Sequence, residues 1–282
     1  MVLKFACADF AFPLLSHRNA LDVITMLEFE GVDIGLFHDR SHLQPLDMFE
    51  DIPANAAKLR KDLQERHLAP ADVFLQTAVD FESTAVNNPD KEIRDFARAM
   101  FEKCLAFAEH IGAEHMTILP GVHFTQESLE DSIARSSDEL RWRVERAAKA
   151  GIVLAVEPHL GSFAEDPEAA ADLVKRTPGL TLTLDYTHFT KNAIPDERVE
   201  TLMPYASHFH ARAACPGKAQ TTLTRNTIDY ERVVEKMHES AYQGYVGIEY
   251  VWIDWEGMNE VDNISETIRL KSLIAAHASG LE

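Results

Sequence analysis

The pattern of hydrophobic and polar positions alternates between a helical period and short apolar runs. The clearest helix is predicted over residues 92–111, where apolar residues recur at i, i+3, i+4 and i+7 and Gly112 supplies a stop. A short apolar run, 115–119, follows at once and ends in a Pro-Gly pair. The same order of helix, turn and strand recurs along the chain, which is the pattern of repeated βα units.

Counting the apolar runs gives eight predicted strands. They cover residues 3–6, 32–36, 71–75, 115–119, 152–156, 180–184, 208–211 and 245–248. Further helices are predicted over 20–29, 172–175 and 230–242, in a segment around 140–148, and near 264–276. Eight units in slightly more than ~250 residues predict the α/β class and a single (β/α)₈ TIM barrel.

The alternative α/β architecture is a doubly wound sheet. It needs a phosphate-binding motif at a strand end, and neither G-x-G-x-x-G nor G-x-x-x-x-G-K-[ST] occurs in the sequence. No composition break marks a linker, so residues 1–282 are interpreted as one barrel domain. The longest segments predicted to be irregular are 44–54 and 77–89.

Composition and charge limit the classes of molecule that the chain is expected to bind. With 27 basic and 46 acidic residues the net charge is −19, which repels nucleic-acid phosphates and anionic lipid. We therefore expect neither a nucleic acid nor a membrane as partner. Three cysteines in 282 residues give no disulfide framework, and neither a signal-peptide pattern nor a spanning apolar stretch occurs, so a cytoplasmic location is predicted.

Four predicted strand ends carry potential metal ligands, namely Glu157, Asp185, His210 and Glu249. In a TIM barrel, reactive groups lie at the carboxyl ends of the strands. Three carboxylates close together repel, and a divalent cation keeps them all ionised. Three oxygen donors and one nitrogen donor fit Mn²⁺, with Mg²⁺, Co²⁺ or Zn²⁺ as alternatives. They do not resemble the ligands of a thiolate-rich zinc site.

These strand ends carry a family resemblance. The motifs Glu-Pro, Asp-x-x-His, His-x-Arg and Gly-x-Glu-Tyr at strands five to eight resemble the xylose isomerase-like TIM-barrel superfamily of sugar phosphate isomerases and epimerases. Ketose 3-epimerases and inosose-processing enzymes are the most similar members. The resemblance implies that the same four residues hold the metal and that His188 and Arg212 contact substrate oxygens.

Strand two departs from the family pattern. Family members often show Gly-[Phe/Tyr]-Asp-Gly-Val-Glu-Leu, whereas this chain has Gly31-Val-Asp-Ile-Gly-Leu-Phe37 with no glutamate. His38 is predicted to contact the sugar from this side. Trp252, with Trp255, is predicted to wall the sugar pocket, the alternative being packing on the last helix.

Three other histidines have open interpretations. His208 is interpreted as a core histidine bonded to a neighbouring strand, with a ligand role as the alternative. His123 fits either a metal site or a loop cap. His159, in a loop after Pro158, is predicted to meet solvent or substrate, not metal.

The leading functional prediction is a divalent-metal-dependent sugar isomerase or epimerase. It would act on a keto-sugar or polyol ketone through a metal-bound enediolate. Strands five and eight are three apart around the ring, so Glu157 and Glu249 can approach opposite faces of a substrate as an acid/base pair. The expected partner is a small sugar or polyol, and a homo-oligomer remains open.

Other reaction classes remain as alternatives. A metal-dependent lyase, either an inosose-type dehydratase or a keto-glycoside-cleaving enzyme, would expel a group from the same enediolate. An endonuclease IV-like nuclease is disfavoured by Gln76 where a histidine is needed, by the lack of Asp-x-His after His210, and by the charge of −19. A protein that binds without catalysis is disfavoured because all four ligand positions are filled.

Overall fold

A computed structural model describes residues 2–280, and within them the strands form a closed parallel barrel in sequence order. The strands are β1 (Lys4–Ala8), β2 (Gly31–Phe37), β3 (Ala69–Gln76), β4 (His115–Ile118), β5 (Val153–Val156), β6 (Thr181–Asp185), β7 (Ala206–Ala211) and β8 (Tyr245–Ile248). β8 closes the barrel by pairing with β1, from Lys4 opposite Tyr245 to Cys7 opposite Ile248. The predicted (β/α)₈ barrel is confirmed.

Helices surround the barrel. They are α1 (His17–Met26), α2 (Pro45–Met48), α3 (Ile52–Gln64), α4 (Lys91–Ile111), α5 (Leu129–Lys149), α6 (Pro167–Arg176), α7 (Tyr186–Lys191), α8 (Asp196–Val199), α9 (Tyr230–Glu239) and α10 (Asn263–Ser279). The predicted helix 92–111 matches α4, which ends at Gly112 in a left-handed conformation with φ of 83°. None of the helices in residues 2–280 is long and apolar enough to cross a membrane.

The segment 44–54 was predicted to be irregular, and the structure corrects this. It contains α2 and the start of α3, because both helices begin with a proline near the first position, where the missing N–H is not needed. The Asp51 side chain accepts a hydrogen bond from the Ala54 backbone at 3.1 Å and so caps α3. Segment 77–89 has no helix or strand, as predicted.

The barrel interior is unusually polar. TIM barrels usually fill this space with layers of branched aliphatic residues. Here the Asp72 carboxylate lies 2.7 Å from His115 Nδ1, and the hydroxyls of Thr117 and Thr183 lie 2.6 Å apart. Every one of these side chains is buried, so polar pairs support the floor beneath the carboxyl ends of the strands.

Candidate metal centre

A cavity of about 530 Å³ opens among the carboxyl ends of the strands. Polar groups come mainly from β5–β8, while strands β1–β3 and two loops supply mostly apolar side chains. The lining residues are Phe10, Pro13, Phe37, Arg40, Phe74, Gln76, Val79, Phe81, Glu157, His159, Leu160, His188, Arg212, Glu249, Val251, Ile253, Asp254, Trp255 and Met258. Its size is in the range of sites that enclose most of a small organic ligand.

Three of the four predicted metal ligands form a tight group. One ligand atom each from Glu157, His210 and Glu249 lies within 4.8 Å of the others, and all three residues are buried. His210 Nδ1 is 2.8 Å from Glu157 Oε1 and 3.7 Å from Glu249 Oε2. The three meet because Glu157 and Glu249 directly follow β5 and β8, whereas His210 points inward from β7.

The fourth predicted ligand, Asp185, is held by Arg212. Arg212 Nη2 donates to Asp185 Oδ2 at 2.9 Å, and Asp185 Oδ1 accepts from the Thr187 backbone at the start of α7. Arg212 Nη1 also lies 3.6 Å from Glu249 Oε2. The guanidinium therefore neutralises two of the strand-end carboxylates, and Asp185 belongs to none of the compact ligand groups in the described chain.

His188 and His159 complete the wall beside Glu157. His188 Nε2 lies 3.5 Å from Glu157 Oε2 and 3.4 Å from Asp185 Oδ2, and neither of its buried ring nitrogens has a hydrogen-bond partner among the described residues. The His159 ring lies over His188 with centroids 4.1 Å apart. Both histidines line the cavity, which agrees with substrate-contact positions for them.

The buried carboxylates and histidines perturb one another. Burial alone would raise the pKa of Glu157, but the adjacent His188 and His210 imidazoles hold it well below its usual range. Burial raises the pKa of Glu249 to about 7, although His210 and Arg212 oppose the shift. Burial lowers the pKa of His210, but Glu249 and Glu157 outweigh it and raise that pKa to about 10. The charges of this group are thus interdependent.

Beneath this centre, His208 lies in the barrel interior. Its Nε2 is 3.1 Å from Asp33 Oδ2, and His210 Nε2 lies 3.9 Å from the same oxygen. The structure therefore agrees with a core role for His208, but its partner is on β2, across the interior, and not on an adjacent strand. Asp33 was missed by the sequence analysis, although its inward position on β2 follows from strand alternation.

The donor set suits a divalent cation. Two carboxylates and one imidazole at the mouth of a barrel are oxygen-rich, which favours Mn²⁺ or Mg²⁺ over thiolate-preferring ions. The His210 Nε2 atom, on the side of the ring facing Asp33, is buried and has no hydrogen bond within residues 2–280. A carboxylate behind a ligating imidazole is the usual arrangement for orienting it. Glu157, His210 and Glu249 could hold the ion.

Two predicted substrate contacts, His38 and Trp252, and one candidate ligand, His123, lie elsewhere. His38 is half-exposed, with Nε2 3.4 Å from Asp39 Oδ2, and is not among the residues lining the cavity. Trp255 lines the cavity, whereas Trp252 does not. His123 is exposed in a loop, where its Nε2 lies 3.3 Å from the Glu127 carbonyl oxygen.

The apolar wall across from the metal centre was not predicted. Phe37, at the end of β2, packs against Phe10 and Phe74 with ring centroids 4.7 and 5.0 Å away. The Phe10 ring fills the space beside Gly35, where an added Cβ would meet Phe10 Cδ1 at 2.4 Å. Arg40 and Gln76 are the polar side chains of this wall, and a basic residue three positions after a strand was the available signal.

Known proteins share this architecture. A family model described as a xylose isomerase-like TIM barrel matches residues 21–273. The structure of a D-tagatose 3-epimerase-like protein is similar with a TM-score of 0.79 and 18% identity, covering 99% of each chain. No curated protein matches the chain in sequence.

Two further structures have named activities. The 3-keto-D-glucoside 4-epimerase from E. coli has a TM-score of 0.73 and 16% identity, covering 96% of this chain and 100% of that one. The probable 3-DHS dehydratase involved in petrobactin synthesis from Bacillus anthracis has a TM-score of 0.71 and 12% identity, covering 96% and 99%. At these identities the similarity shows a shared fold.

Proposed function

Because the chain belongs to the xylose isomerase-like TIM-barrel family, we propose that it is a divalent-metal-dependent isomerase or epimerase of a keto-sugar or related polyol ketone. The observation that carries the proposal is the buried group of Glu157, His210 and Glu249, two members of which line the cavity among the strand ends. The names of two similar structures, both epimerases or epimerase-like, support the reaction class.

The proposed ion is Mn²⁺, held by Glu157, His210 and Glu249, with Asp185 as a further ligand if Arg212 releases it. When bound, the ion would polarise the substrate carbonyl and acidify the adjacent C–H bond. The ring nitrogen of His210 facing Asp33 would keep the ligating face of the imidazole directed at the two glutamates.

The protein's own groups would move the proton. Glu157 and Glu249 follow strands three apart in the ring, so their carboxylates approach a substrate from different sides. One takes the proton from the carbon beside the ketone, which leaves an enediolate, and the other returns a proton to the opposite face. Arg212 and His188, both at the cavity wall, orient the substrate oxygens and stabilise the developing negative charge.

A lyase is the second candidate, favoured by one observation. The similar structure from Bacillus anthracis is a probable dehydratase, and loss of a β-hydroxyl or glycosidic group starts from the same enediolate. In this reaction the second glutamate would protonate the departing oxygen instead of the carbon.

Deuterium exchange tests the proposal. Mn²⁺-loaded protein is incubated in D₂O with a panel of ketohexoses, inososes and 3-keto-glycosides, and NMR follows deuterium at the carbon beside the ketone. We expect exchange that falls about 10²–10⁴-fold in Glu157→Gln and in Glu249→Gln. Glu145→Gln, at an exposed position of α5, is the matched control and should exchange like the parent.

The products separate the candidate functions. An epimerase returns sugar of unchanged mass apart from deuterium, whereas a lyase gives a product lighter by water or by the leaving group. No exchange across the whole panel with metal-loaded protein would contradict the proposed catalysis and support a binding protein.

A further inference from the structure

Arg40 is a partly buried cation with no acidic partner among the residues that the structure describes. Every other arginine in residues 2–280 that is not exposed has a carboxylate oxygen within 4.0 Å. Those arginines are Arg66, Arg94, Arg98, Arg135, Arg143, Arg212 and Arg232. In a chain with 46 acidic and 27 basic residues, an inner arginine without a carboxylate is unexpected.

The environment of Arg40 leaves its charge unsatisfied. Its side chain donates one hydrogen bond, to Gln76 Oε1, and its Nε is buried with no partner among the described residues. Burial lowers the pKa of Arg40, and no nearby carboxylate offsets that effect. A guanidinium stays charged at neutral pH, so this desolvation costs free energy until an acceptor arrives.

Gln76 adds a second donor at the same place. Its Oε1 accepts from Arg40, which leaves the amide nitrogen free to donate. Both residues line the cavity, within a wall that is otherwise formed by apolar side chains such as Phe10, Phe37 and Val79. Arg40 lies three residues after β2 and Gln76 is the last residue of β3. The strand opposite β2 in the ring of eight is β6, so this pair faces the metal-centre side of the barrel.

We propose that the substrate carries a carboxylate at the end remote from its ketone, and that Arg40 and Gln76 bind it. This inference rests on the proposed function, which places the ketone at Glu157, His210 and Glu249. One guanidinium and one amide match the two oxygens and the single charge of a carboxylate. A phosphate dianion would require more positive charge than this wall offers, and a hydroxyl would leave the desolvated cation uncompensated.

The test compares matched ketoses that differ only at the remote carbon. D-Fructose, D-fructuronate and D-fructose 6-phosphate are titrated calorimetrically into the Mn²⁺-loaded protein. We expect fructuronate to bind about 10- to 100-fold more tightly than fructose, since a hydrogen-bonded ion pair replaces a hydroxyl contact. Arg40→Met should abolish that preference, and Arg40→Lys should retain part of it. Arg18→Met, at an exposed arginine, is the control and should behave as the parent.

A second pair of probes does not depend on the sugar framework. Benzoate and benzyl alcohol are titrated into metal-free parent protein and into Arg40→Met. We expect benzoate to bind the parent more tightly than benzyl alcohol, and the difference to vanish in the variant.

The outcomes separate this inference from the proposed function. If carboxylate binding depends on Arg40 but no ketose exchanges deuterium, the carboxylate site stands and the isomerase proposal fails. If ketoses exchange but neither fructuronate nor benzoate shows an Arg40-dependent preference, the carboxylate site is wrong and the isomerase proposal stands. Tighter binding of fructose 6-phosphate than of fructuronate would also overturn the carboxylate site, because phosphate would then be the ligand.

Discussion

Gly247 leaves the space that the Asp33 carboxylate occupies. A Cβ built at Gly247 on β8 would lie 2.1 Å from Asp33 Oδ2 and 3.1 Å from His208 Nε2. The Asp33–His208 pair beneath the metal centre therefore depends on the absence of a side chain on the adjacent strand.

Gly247→Ala should consequently destabilise the fold by about 1–3 kcal/mol, the usual cost of overpacking. The carboxylate must move, and the imidazole it holds loses its partner. Urea unfolding measures the change. Gly280→Ala is the control, since the nearest atom to its added Cβ is 3.4 Å away. Equal stability of the two variants would contradict the packing argument.

Metal affinity should rise with pH. In the metal-free protein, burial lowers the pKa of His210, but Glu249 and Glu157 raise it to about 10, so the imidazole is protonated at pH 8. Cation binding must displace that proton. The apparent affinity should therefore increase about tenfold per pH unit between pH 7.5 and 9.5, and level off above pH 10.

Calorimetric Mn²⁺ titrations in buffers of different ionisation enthalpy measure the released proton directly. His210→Gln should bind Mn²⁺ more weakly and lose most of this pH dependence. A parent affinity that is flat over the same pH range would show that His210 is not a ligand.

The residues at the carboxyl ends of the strands could be predicted from the sequence. The end of β8 and the position of Glu249 just beyond it follow from a four-residue apolar strand between Gly244 and an acid. The convergence of Glu157 and His210 follows from parallel strands whose carboxyl ends meet at one mouth.

The rest depends on contacts between distant segments. The Asp33–His208 pair joins residues 175 positions apart across the barrel, which no local pattern reports. The loop after β8 turns through positive φ at Glu256 (55°) and Gly257 (71°), and it is Trp255 and not Trp252 that lines the cavity. Arg40 indicates a ligand site only because no carboxylate among the described residues lies near it. The sequence does not show which side chains surround Arg40.

Arg212 should be essential to the stability of the metal-free protein. It donates to Asp185 at 2.9 Å, and both residues are buried. Arg212→Met removes the guanidinium that pairs with that carboxylate, and breaking a buried ion pair in this way typically costs about 3–5 kcal/mol. The double variant Arg212→Met/Asp185→Asn removes the uncompensated charge and should recover part of the loss.

Denaturant unfolding with chelator present measures these free energies. Arg225→Met, at an exposed arginine, should leave stability within about 0.5 kcal/mol of the parent. If the single Arg212 variant were as stable as the parent, Asp185 would have to be neutral or otherwise paired.

His159 should make the fold acid-sensitive. Burial lowers the pKa of His159, and the neighbouring His188 adds to the effect, so its folded pKa is about 3. In the unfolded chain the pKa is near ~6.5. Below pH 6.5 the unfolded state binds a proton that the folded state does not, so stability is lost as pH falls from about 6.5 towards 3, by at most ~1.4 kcal/mol per unit.

Replacing His159 by glutamine removes this proton uptake, so the stability of His159→Gln should fall less steeply between pH 6.5 and 4 than that of the parent. Urea unfolding at half-unit pH intervals, in metal-free protein, gives both curves. His123→Gln is the matched control because His123 is exposed, and its curve should parallel the parent. A His159→Gln curve that also runs parallel to the parent would mean that the imidazole is protonated within the fold. Glu157, whose Oε2 lies 4.0 Å from His159 Nε2, would then be its ion-pair partner.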